Sequence, residues 1–429
     1  MKLPADHPLR QVLNDEVHAR PPPPLTVPCR ISFLALTCDP DALKAQRAHL
    51  SGLCERFGVA PPSDGASHFA ADFGPFRLHW ERHSEFARYM VVAEGAGEDP
   101  FASPAIAALP QDWVRELIGA TLVATHVAIL ADTGAPLDPE SVSRRYFKGN
   151  VLIGAPIVGE MGSALTDFRI HEDGFGRVVI HVRRMTPRQI GRSVQRLVEI
   201  DAYRMMALLA FPVARGLSAF MGQCEKELAA ITAAMARLEG ADEPALLSRL
   251  NKLEAEIQAR HADNHFRFSA ASAYFGLVEQ RIEDLREGRF EGVQTFQEFT
   301  ARRLVPAVST VRSVARQLDG LSERVARATQ SLSTRIAVTR EGQSQALLEQ
   351  MARRAKMQLR LQQTVEGLSL AAISYYVVGL VGYLAKGGKA AGMKIDPELL
   401  VAASIPVVVA LLAYGLRKAK RHLDLDNDH

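Results

Sequence analysis

GLSLAAISYYVVGLVGYLAK, Gly367 to Lys386, carries no charge until its last residue. A helix rises about 1.5 Å per residue, so Leu368 to Ala385 would cover roughly 27 Å, close to the hydrocarbon thickness of a bilayer. Leu399 to Leu416 repeats the pattern. Pro406 inside the second run is tolerable, because neighbouring helices can satisfy the freed carbonyl. Tyr383 and Tyr414 fall near the run ends, where amphipathic rings meet the headgroups. The expectation is two transmembrane helices, 367–385 and 399–416, joined by a short external linker, 386–398. The competing account is a pair of buried core helices.

The flanks set the orientation. Arg353, Arg354, Lys356 and Arg360 precede the first run, and Arg417, Lys418, Lys420 and Arg421 follow the second. The linker's Lys386, Lys389 and Lys394 are partly offset by Asp396 and Glu398. The positive-inside bias favours both termini in the cytoplasm, with the bilayer, an inner membrane, as partner. The opening MKLPADHPLRQVLNDEVHARPPPP has no apolar core of the signal-peptide kind. Cys29, Cys38, Cys54 and Cys224 form no CxxC pair, which fits reduced cytosolic thiols. A net charge of +3 over 429 residues argues against a nucleic-acid partner.

Upstream of the runs the periodicity changes once. Residues 1–185 read as a mixed α/β cytosolic domain. Its expected strands are Arg30 to Leu36, Ser67 to Phe73, Phe76 to Arg82, Tyr89 to Ala93, Leu122 to Leu130, Val151 to Val158, Ser163 to Ile170 and Arg177 to Arg183. Asp39, ahead of Pro40, is placed to cap a helix ending at Phe57. After Pro187 the helical period takes over. Residues 186–290 read as long antiparallel helices with a break or kink at Pro212. Val311, Val314, Leu318, Leu321, Val325, Ala328 and Leu332 recur at three- and four-residue steps, a coiled-coil seam. Residues 291–366 would form a stalk leading into the first membrane helix, and 417–429 a cytosolic tail. The fold class is α+β, followed by coiled-coil-like helices and a transmembrane hairpin.

Chemical sites are few. His79, Glu81 and His83 share one face if the stretch is a strand, and two imidazoles with a carboxylate suit a divalent metal. The competing and simpler account is a solvated polar face, with Leu78 and Trp80 turned inward. His261 and His265 share a helix face at a spacing zinc uses, without an evident third ligand. Asp15, Glu16, His18 and Arg20 precede the stiff Pro21 to Pro24 stretch, as a docking arm or a capped helix and loop. No GxxxxGK[ST] occurs, and no Ser-His-Asp set has local support, so an enzyme is not expected. No cofactor is identified; a divalent cation is the one candidate the residues admit. In the linker, Asp396 and Pro397 read as the N-cap and first position of the second membrane helix.

HPLRQVLNDEVHARP together with RLQQTVEGLSLAAISYYVVGLVGYLAK resembles an uncharacterised bacterial family of membrane-anchored proteins, a domain of unknown function. That likeness covers essentially the whole chain. The order of parts also resembles the CorA-type magnesium transporters, with Gly392, Met393 and then Pro397, Glu398, Leu399 near the linker. Lys394 stands where that family places asparagine. The second resemblance implies a pentameric ion path lined by the first membrane helix, with Ser369, Ser374, Gly379 and Tyr383 as pore candidates. Its mouth would be Gly392, Met393, Lys394, Asp396 and Glu398. Against it stands a membrane-tethered scaffold or sensor that self-associates through the seam and the membrane helices.

Overall fold

The computed structural model describes residues 6–11, 13–14, 22–39, 41–134, 137–237, 242–390 and 396–425, with side chains to 415. Its contacts group residues 1–238 with 245–329 as one compact unit, and 239–244 with 330–429 as a second.

The first unit is built on a sheet of β1 (Cys29–Thr37), β2 (His68–Asp72), β3 (Arg77–Arg82), β4 (Phe86–Glu94), β5 (Ala120–Ala131), β6 (Ile153–Ile157), β7 (Gly162–Thr166) and β8 (Gly176–Val182). The order is β2-β3-β4-β1-β5-β8-β7-β6. Every neighbouring pair is antiparallel except β5 with β8. α1 (Ala42–Phe57) and the short α2 (Gln111–Arg115) follow β1 and precede β5 respectively. Later helices are α3 (Pro139–Tyr146), α4 (Pro187–Leu208), α5 (Ala210–Arg237), α6 (Glu243–Leu285), α7 (Phe296–Ala390) and α8 (Pro397–Leu425).

Strand alternation sorts side chains into two cores. From β1, Ile31, Phe33 and Ala35 join one, and Leu34 and Leu36 the other. From β4, Phe86, Met90 and Val92 go one way, and Ala87, Tyr89 and Val91 the opposite way. Leu50, Leu53 and Cys54 of α1 cover one face, with Trp80 and Trp113. Ile190, Val194, Leu197 and Val198 of α4 cover the other, with Val278, Ile282 and Leu285 of α6. Both faces are covered, so the central strands are largely apolar on both sides, and Ser32, Arg88, Thr125 and His126 are buried polar residues among them. The mixed α+β class stands as expected, with eight strands ahead of long helices.

Several local expectations change. The first helix begins at Ala42 behind Asp41, whose side chain makes no capping bond. The strand expected over Ser163 to Ile170 ends at Thr166, and Phe168 takes a positive φ of 51°. α3 went unassigned in the sequence, although Asp138 and Pro139 carry a start signal. The Asp138 carboxylate accepts from the N–H of Glu140 and of Ser141, both at 3.1 Å. The Pro212 expectation holds as a break at Leu209, where α4 ends and α5 begins. Pro212 then sits in the first turn of α5, where a missing N–H costs little.

The seam on α7 finds partners inside the chain. Val311, Val314, Leu318, Leu321 and Val325 are all buried. So are Met221, Leu228 and Ile231 of α5 and Leu250, Leu253 and Ile257 of α6. Polar pairs stitch the three helices: Arg324 to Glu225 at 2.8 Å, Arg249 to Glu227 at 2.7 Å, and Gln258 to Ser322 at 2.9 Å. This stretch is an intramolecular three-helix bundle, its seam covered by α5 and α6 of the same chain. α7 is an unbroken helix through Gly320 and Gly342.

Candidate functional site

Three helical stretches are long and apolar enough to cross a membrane. Two are the expected runs, with mean hydropathy 1.7 within Phe296–Ala390 and 2.0 within Pro397–Gly415. The third, Pro187–Arg237, reaches 1.5 and was not expected. Its window is 33% buried by the rest of the protein, against 11% and 0% for the other two.

The second unit pairs the two C-terminal runs. On α7 the less exposed positions are Leu370, Ser374, Val377, Val381, Ala385 and Gly388, a stripe at three- and four-residue steps. On α8 they are Pro397, Val401, Ser404, Val408 and Leu412. Gly382 sits where the stripes meet: a Cβ there would stand 3.2 Å from Val401 Cγ2. Small residues allow such close approach. The Ser374 hydroxyl donates to Leu370 O at 2.7 Å and the Ser404 hydroxyl to Val401 O at 2.8 Å, so each is satisfied within its own helix. The N-terminus of α8 is capped as expected: Glu398 N–H donates to Asp396 Oδ1 at 3.1 Å.

The pore candidates divide. Ser374 faces the seam between the two helices, whereas Ser369, Gly379 and Tyr383 are on the exposed side. Gly392, Met393 and Lys394 lie outside the described residues, and so do Asp15, Glu16, His18 and Arg20.

The polar residues of the first unit have other employment. β3 ends at Arg82, so His83 lies beyond the strand and stacks on Phe86 at 4.5 Å. Glu81 Oε2 accepts from Arg88 Nε at 3.0 Å and Nη2 at 2.5 Å. Arg88 Nη1 donates to Glu199 Oε1 at 2.8 Å, and Arg281 Nε donates to Glu199 Oε2 at 2.5 Å. Gln195 donates to the same carboxylate at 2.7 Å. Burial pushes the Glu199 carboxyl up, but Arg88, Arg281 and Gln195 more than offset it and hold it below its ordinary value. This alternating chain of charges ties β3 and β4 to α4 and α6. No sequence motif announced it, because its members are far apart along the chain. His79 is driven down to about 4, first by burial and then by the charges of Arg77 and Arg88. His261 and His265 do share a face, their rings 5.4 Å apart, and His261 Nε2 is 2.9 Å from Asp319 Oδ1 of α7. Among the described residues, no group of three or more His, Cys, Asp or Glu is placed to hold a metal ion.

The chain belongs to a family described as "Protein of unknown function (DUF3422)", whose profile matches residues 5–423. This agrees with the expected likeness to an uncharacterised family over essentially the whole chain. No curated protein and no solved structure matches it. The CorA-type likeness therefore rests on the order of parts and the linker residues alone, with no match to support it.

Proposed function

We propose that this chain is an integral membrane protein whose C-terminal helices form a hairpin anchor, with the sheet unit on the cytoplasmic side as a scaffold or sensor. The observation that carries the proposal is the exposure of the two apolar windows, 11% and 0% buried in spite of hydropathies of 1.7 and 2.0. Leu368, Tyr376, Tyr383, Leu384 and Leu399 are each at least 70% exposed. An apolar surface of that extent on a helix pair is stable in lipid and unfavourable in water. The cationic residues on both outer flanks support a cytoplasmic placement of each end.

Alkaline carbonate washing of membranes tests the anchor. The intact chain is expected in the pellet, and a chain cut before Gly367 in the supernatant. Release of the intact chain overturns the proposal.

A second proposal, a CorA-like oligomeric ion path, has one supporting observation. Ser369, Tyr376, Gly379 and Tyr383 recur at heptad steps on the exposed side of the first membrane helix, free to face other copies. Subunit counting in detergent separates the two: a pentamer that passes Mg²⁺ into proteoliposomes favours the ion path, and a monomer or dimer excludes it.

A further inference from the structure

A proline strap crosses the start of α4 and is fixed at two points. Leu25 N–H donates to Pro187 O at 3.1 Å, and Arg77 Nη1 donates to Pro24 O at 3.2 Å. Gly191 of α4 lies directly beneath: a Cβ there would come within 1.9 Å of Pro23 O. Between the strap, the edge strand β2, its neighbour β3 and the first turns of α4 lies a cavity of about 660 Å³. That volume falls in the range of small-molecule sites.

The cavity gathers positive charge in excess of negative. Arg77, Arg188 and Arg192 line it. Neither the Arg188 nor the Arg192 side chain makes a hydrogen bond or ion pair to any described residue. Its two acids are Asp72, which accepts from Gly74 N–H at 2.8 Å, and Glu81, which is held by Arg88. The remaining wall is apolar, with Phe69, Ala71 and the prolines. Three guanidinium groups lining one concavity repel a divalent cation. They attract a dianion with several oxygens, and the planar guanidinium fork fits phosphate bidentately.

We propose that this cavity binds a soluble phosphate-bearing small molecule, with the phosphate on Arg77, Arg188 and Arg192 and the organic part against Phe69, Ala71 and the strap. The site is independent of the membrane anchor. It makes use of the proline stretch, whose role the sequence left open, and His79 is part of its lining.

The test is thermal unfolding of the full chain in detergent, titrated with inorganic phosphate at constant ionic strength. Saturable stabilisation of the wild type is expected. The double variant Arg188→Gln/Arg192→Gln should need at least about ten times more phosphate, and Arg188→Lys/Arg192→Lys should fall between. Arg312→Gln/Arg316→Gln, on the helical bundle, should titrate like the wild type. Circular dichroism confirms that each variant is folded, as the exposure of these arginines leads one to expect. Equal phosphate response in the wild type and the Arg188/Arg192 double glutamine variant overturns the proposal, as does no saturable response at all. Two further arms can also overturn it. Stabilisation by phosphatidylglycerol vesicles but not by free phosphate would assign the arginines to a lipid headgroup. Binding of an extended acidic peptide that phosphate does not displace would assign the β2 edge to a protein partner.

Discussion

The helical stretch Pro187–Arg237 and the two C-terminal helices are close in hydropathy, 1.5 against 1.7 and 2.0. Their surroundings differ. Where α4 runs into α5, Met206, Ala207, Ala210, Ala214 and Leu217 form one buried stripe, while Arg215 and Ser218 lie on the exposed side. The C-terminal runs are apolar all round, and only one stripe of each meets the other. An amphipathic stripe can be satisfied by a single protein surface, whereas an all-round apolar helix needs a second apolar medium. Hydropathy summed over a window cannot tell these cases apart; the distribution of charge around the helix can.

The contrast is broken most directly by placing a carboxylate in each region. Val198→Asp buries a charge in the sheet core and should unfold the first unit, a loss of at least about 4 kcal/mol, read by circular dichroism and proteolysis. Val409→Asp should leave the first unit's thermal transition unmoved and instead weaken membrane retention, at a cost of about 2.5–3.5 kcal/mol near a helix centre. Equal damage to the first unit from both substitutions would erase the distinction.

Glu199→Ala sharpens the same comparison, because α4 is held by charge as well as by apolar contact. The substitution leaves Arg88 and Arg281 without their shared carboxylate. A loss of about 3–5 kcal/mol is expected in urea unfolding, with little change in carbonate extraction.

Acid should act on the first unit alone. Burial lowers both His79 and His126 to about 4 in the folded state, from 6.5. The unfolded chain therefore takes up protons first. Stability should be level above about pH 7 and fall between pH 6.5 and 4, with a ceiling on the order of 3 kcal/mol per histidine, and go on falling below as Glu199, held below its ordinary value, is protonated. His79→Gln should flatten part of that slope in a series of melting curves. Neither apolar run holds a histidine, so membrane retention should not follow the same curve.

The smallest effects come from close approaches. Gly191→Ala puts a methyl against the Pro23 carbonyl and should cost about 1–3 kcal/mol in urea unfolding unless the strap shifts. Gly382→Ala meets only the end of the Val401 side chain at 3.2 Å and should cost under about 1 kcal/mol, seen as slightly faster SDS unfolding of the hairpin.

Much of the architecture was legible beforehand. Alternation and turn residues placed seven of the eight strands within three residues at each end, and the apolar runs marked the final helices. Asp396 capped α8 as its sequence implied, because a cap is a bond between residues two or three apart. The miss at α3 had the same kind of local signal, Asp138 before Pro139, but its length gave little periodicity to notice. The candidate sites were less legible. His261 and His265 came together as their spacing required, but Asp319, fifty-eight positions away, was invisible beforehand. His83 fell beyond the strand that would have aligned it with His79.

Sequence alone determined which segments are strands, which are helices apart from α3, and which two runs have no polar side. Those properties arise from bonds and periodicities a few residues long. Only the tertiary structure decided that β5 lies beside β8, that Arg88 meets a glutamate 111 positions away, and that the α7 seam is covered by its own chain. Such pairings depend on burial that many distant segments create together, and no short stretch of residues encodes the partner it will meet.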